Sequence, residues 1–146
     1  MNKFKSLIVL FSVLLVIVGQ SVTAQDQSQF DAWEKQIEVT GFGDKFALMP
    51  GSDQDYDYYL VDLTKLASRF ERIYFLNLAY KSDSIVNIDP DINDTKMWFK
   101  AYHQFTPAEV ECLFNTYKDE ATNAYKDFSA DEREAWLKSH DKYNSK

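Results

Sequence analysis

The chain has 146 residues, 16 of them basic and 23 acidic, for a net charge of −7. That balance argues against nucleic acid and against anionic membranes as partners, since both select Lys and Arg. Apolar residues make up 45% of it and aromatic ones 16%, with a single cysteine, so neither a disordered chain nor a disulfide-stapled one fits.

Residues 1–5 are basic through Lys3 and Lys5, residues 6–19 are almost wholly apolar, and residues 20–24 place Val22 and Ala24 where a signal peptidase reads. This order is that of a secretory signal peptide. The apolar run of 14 residues is short of the ~20 that a helix needs to span hydrocarbon. The sequence predicts a cleaved leader over 1–24 and one exported domain over 25–146, periplasmic or extracellular, with no membrane attachment after cleavage. Loss of Lys3 and Lys5 leaves 14 basic residues against 23 acidic, a net −9.

In the mature segment, Phe30, Trp33 and Ile37 recur at helical spacing, with Ser28 as the expected N-cap and the glycines at 41 and 43 as the stop. Residues 45–49 read as a short strand, 50–53 as a turn, and 58–63 as a second strand. Residues 65–70 suit a single helical turn. Residues 72–80 are apolar at odd and even positions alike, which predicts a central strand covered on both faces. Residues 85–88 then pair back on it as a hairpin. Residues 89–94 form a loop, and 97–104 a further strand.

Thr106, Pro107 and Glu109 make a capping box with proline at the first helical position. Phe105 and Val110 stand where a hydrophobic staple needs them. Val110, Leu113, Phe114, Tyr117, Ala121, Ala124, Tyr125 and Phe128 form one helical stripe. Ser129 and Glu132 make a second capping box, opening a helix that carries Trp136, Leu137 and His140. The expected fold is α+β: an antiparallel sheet of about four to five strands, an N-terminal helix, and two C-terminal helices packed on one face.

No motif in the chain defines a reaction or a cofactor. His103 and His140 are the only histidines, and no zinc ligand set surrounds them. A Cys112–His103 nucleophile pair has no oxyanion-hole signature beside it. Cys112 falls on the polar face of its helix, which predicts an exposed thiol and a monomer or a Cys112-linked dimer. Asp53, Asp55 and Asp57 alternate as in calcium loops, but Tyr58 and Thr64 stand where an EF-hand needs Gly and Glu. Asp89, Asp91, Asn93 and Asp94 form a second oxygen-rich loop without a closing Glu, and Asn93 begins a glycosylation sequon.

Two functional expectations follow, and neither is enzymatic. In the first, Asp53, Asp55, Tyr56, Asp57, Tyr58 and Tyr59 form a surface for a basic protein, with Tyr giving contact area and Asp giving steering. An inhibitor or immunity-type protein against a basic envelope enzyme is one such case. In the second, a small ligand binds between sheet and C-terminal helix, against Trp98, Tyr102 and Tyr117.

Overall fold

The computed structural model describes residues 27–87 and 95–140. The predicted leader and the oxygen-rich loop at 89–94 lie outside them. The chain divides into two units, one ending at Gly41 and the other starting at Phe42.

The described part of the first unit is helix α1, residues 27–40. Ser28 lies inside this helix and is therefore not its N-cap. Phe30 and Trp33 meet edge to face at 5.5 Å. Gly41 ends the helix with φ 67°, its amide donating to the Ile37 carbonyl at 2.7 Å. A left-handed residue at this position favours glycine, because it has no Cβ to clash.

The second unit runs β1 (Ala47–Ser52), β2 (Tyr56–Asp62), a 3-10 turn (Leu63–Lys65), α2 (Arg69–Lys81), β3 (Ile85–Asn87), β4 (Lys96–Tyr102), α3 (Pro107–Asp127) and α4 (Ala130–His140). The four strands form one antiparallel sheet in the order β1-β2-β4-β3. The fold is α+β, as the sequence predicts.

The expected turn at 50–53 lies largely within β1. Pro50 and Gly51 sit at an irregularity in the β1–β2 register, between Leu48 and Gly51. A proline is tolerated there because β1 is an edge strand. The reversal comes later, at Asp53–Asp55, where Oδ1 of Asp53 accepts from the amides of Asp55 and Tyr56, both at 2.8 Å.

The larger correction concerns residues 72–80, which are helix and not strand. Ser68 and Glu71 form a full capping box: Glu71 Oε2 accepts from the Ser68 amide at 2.8 Å, and Ser68 Oγ accepts from the Glu71 amide at 3.1 Å. Phe70, Ile73, Leu76 and Ala79 are buried at three-residue spacing, with Phe75 buried beside them. The segment is apolar on two sides because α2 meets the sheet and α3 on one flank and α4 on another. It follows that β3 does not pair with 72–80. It pairs with β4, Ile85 opposite Ala101.

The core lies between one sheet face and these helices. Tyr59 and Val61 of β2, and Met97, Phe99 and Ala101 of β4, point into it at every second position. Phe75 of α2 meets Phe46, Phe99 and Phe114 at ring distances of 5.2, 6.1 and 6.2 Å. Helix α3 packs directly on the sheet through Phe114, and α4 joins the same side through α2, with Trp136 against Phe70 and Tyr74. His140 stacks on Trp136 at 4.2 Å, so it is a packing residue.

The start of α3 is built as its sequence predicts. The Thr106 amide donates to Glu109 Oε2 at 2.7 Å, and the Glu109 amide donates to Thr106 Oγ1 at 3.3 Å. Ser129 and Glu132 repeat the exchange before α4. Arg133 Nη1 then donates to the carbonyls of Tyr125 and Phe128, closing the end of α3. Thr106→Ala should cost about 1 kcal/mol, read as a fall in the urea midpoint with an unchanged slope.

Candidate functional site

The hairpin end of the sheet gathers most of the polar residues singled out from sequence. The Asp53 carboxylate is fully engaged: Oδ1 holds the turn, and Oδ2 accepts from the Tyr58 hydroxyl. Some desolvation acts to raise its pKa. It is outweighed by the Tyr58 hydroxyl, the two backbone amides and the field of His103, which hold the carboxyl below its ordinary value.

Tyr56 faces Tyr102 across the β2–β4 rung, ring centroids 5.0 Å apart. Lys100 Nζ lies 4.1 Å over the Tyr56 ring, a cation–π contact. A hydrogen bond with Tyr102, first among several causes, raises the Tyr56 phenol above its ordinary range. Tyr58, Lys100 and Val86 share the next rung of the same face. Farther along it, Leu60 and Trp98 are register partners and are buried.

Strand alternation divides the expected contact set. Tyr56 and Tyr58 lie on the face away from α3, whereas Asp57 and Tyr59 point to the core side. Asp57 is only 9% exposed, and Tyr59 is 3% exposed with its ring against Phe114 at 5.7 Å. Those two are therefore not surface residues. Asp53, Asp55, Tyr56 and Tyr58 remain together, joined by Tyr102, which is 41% exposed.

The alternative ligand pocket is not assembled. Trp98 and Tyr102 lie on the outer sheet face, while Tyr117 packs on the core side against Phe75. The space between α3 and the sheet is filled by Phe75, Phe99 and Phe114, all fully buried.

The sequence did not assign His103 its partners. It stands just past β4 on the core side, where alternation from Phe99 and Ala101 would place it. Nδ1 lies 3.3 Å from Asp57 Oδ1, and Nε2 lies 3.0 Å from the Asp53 carbonyl oxygen. Both nitrogens thus face groups other than Cys112, which is exposed on α3. Among the described residues no group of three or more His, Cys, Asp or Glu side chains is arranged to hold a metal ion. No described helix is long and apolar enough to cross a membrane.

The chain matches no family model, no curated protein and no solved structure in these comparisons.

Proposed function

We propose that this chain is an exported acidic domain that binds a basic protein through the hairpin end of its sheet. Inhibition of, or immunity to, a basic envelope enzyme is the form of this function that compartment and charge favour. The observation that supports it is the Tyr56–Tyr102 rung, held by ring contact and flanked by Asp53 and Asp55. Paired tyrosines give a preordered aromatic contact area, and carboxylates at its edge steer a cationic partner toward it.

The test is affinity capture from secreted and envelope fractions at low and high salt, followed by binding kinetics on whatever is captured. A basic partner should bind more weakly at high salt. Tyr102→Ala should weaken binding by about tenfold or more, chiefly through faster dissociation. Asp55→Ser should slow association at low salt and leave dissociation nearly unchanged. Failure to capture any protein, or capture of one indifferent to both substitutions, rejects this reading.

A further inference from the structure

Tyr56 of β2 and Tyr102 of β4 are register partners, with ring centroids 5.0 Å apart and ring planes tilted by 48°. Opposed residues on antiparallel strands stand side by side on one face. Two tyrosines so placed are equal in length, so their hydroxyl ends meet at the same height above the sheet. The influence of Tyr102 stands first among those on the Tyr56 hydroxyl. We propose that this pair is a site of oxidative coupling, at which peroxide acting through a haem peroxidase joins the two rings as a dityrosine between β2 and β4.

Each phenol gives up one electron and its hydroxyl proton. The neutral phenoxyl that remains shares its unpaired spin with the ring carbons beside the oxygen, the Cε positions. The two radicals pair to form one Cε–Cε bond. Each of those carbons then releases its hydrogen as a proton, and one proton returns to each oxygen, so both phenols are restored. The two electrons and two protons lost overall reduce one hydrogen peroxide to two waters. In the product the hydroxyls flank the new bond, and the ring planes stay twisted with their centres only somewhat closer. The native pair already has this disposition, tilted at contact distance and not stacked face to face. Groups held in contact react as one unit, at an effective concentration that encounters between separate chains do not reach.

The surroundings make the coupling selective. Tyr102 is exposed, open to an oxidant in solution, and Tyr56 is half-buried beside it. Lys100 Nζ, 4.1 Å from the Tyr56 ring centroid, helps to hold that ring in place. Tyr58 shares the face, but its rung partner is Lys100 and its hydroxyl donates to Asp53 Oδ2. Tyr59 is turned into the core. The chain's one cysteine leaves no disulfide within it. A dityrosine here closes the chain between two strands, and so constrains the unfolded state as a disulfide does. The coupling involves no partner protein, so it stands independently of the binding proposed above.

The experiment uses protein expressed from the full 146-residue sequence, carrying Cys112→Ser so that the exposed thiol does not consume oxidant. Dilute protein is treated with a haem peroxidase and hydrogen peroxide, then read by dityrosine fluorescence, intact mass and peptide mapping. The expected product is a fluorescent monomer lighter by two hydrogens, with the peptide containing Tyr56 joined to the one containing Tyr102. Tyr56→Phe and Tyr102→Phe each keep the ring and remove the reacting hydroxyl, and each should cut the monomer's dityrosine by about tenfold or more. Tyr125→Phe removes an exposed tyrosine on α3 and should leave the yield unchanged. Absence of dityrosine, dityrosine confined to dimers, a cross-link mapped to another pair, or a monomer yield that survives Tyr102→Phe overturns the proposal.

Discussion

Phe75→Ala is expected to remove about 3–5 kcal/mol of stability, the range for truncating a fully buried aromatic ring. Phe75 is 0% exposed and sits where α2, α3 and the sheet converge, touching Phe46, Phe99, Phe114 and Tyr117. Its neighbours come from α3, from β4 and from the residue before β1, so none can close the gap without moving its own backbone. A domain of this size has roughly 5–15 kcal/mol to lose, so the variant should stand near its folding threshold. In urea, followed by tryptophan fluorescence, the midpoint should drop by roughly 2 M with little change in slope. Tyr80→Ala is the internal comparison. Tyr80 is 50% exposed at the end of α2, and its loss should cost well under half as much. Were 72–80 a strand covered on both faces, Tyr80 would share a buried face with Leu76, and its truncation would be costly too. Equal losses for Phe75 and Tyr80 would therefore count against α2 as a helix.

The segment around Phe75 also shows where sequence reading succeeded and where it failed. Helices α3 and α4 were legible because each announces its start with a capping box, and α3 then keeps one apolar stripe. Helix α2 has the same kind of start at Ser68 and Glu71, but the signal was hidden. Apolar residues on two sides of a buried helix lose the single-face periodicity and imitate a strand covered on both faces. Strands β2 and β4 carried their alternation openly, so their existence was readable. Their register was not, because it depends on pairing between segments some forty residues apart. Register is what turns Asp57 and Tyr59 inward, brings Tyr102 beside Tyr56, and sets Trp98 on the face opposite Tyr117. The proposed contact patch was thus half legible: the hairpin residues stood in one run of sequence, while Tyr102, Lys100 and His103 reach them only through the sheet.

Tyr59→Phe tests the inward turn of β2 directly, and it should be neutral or stabilising by up to about 1–2 kcal/mol at pH 7. The Tyr59 hydroxyl is buried and, among the described residues, has no hydrogen-bond partner. Taking an unserved donor out of water costs free energy, and removing the oxygen relieves that cost while keeping the ring on Phe114. Burial first, then the fields of Asp57 and Glu111, push the phenol up to about 12 from its ordinary 10. A raised pKa means that the fold favours the neutral form. The corresponding stability is fully present below about pH 10 and is lost as pH rises through about 12. Native protein should therefore lose stability across that alkaline window faster than the Tyr59→Phe variant, as read by urea midpoints at pH 9, 10.5 and 11.5. A variant clearly weaker than the native chain at pH 7 would mean that the hydroxyl has a bonding partner. Partner binding gives the second readout. Because Tyr59 faces the core, its substitution should leave affinity unchanged while Tyr102→Ala lowers it. The reverse pattern would move the contact surface to the other face of the sheet.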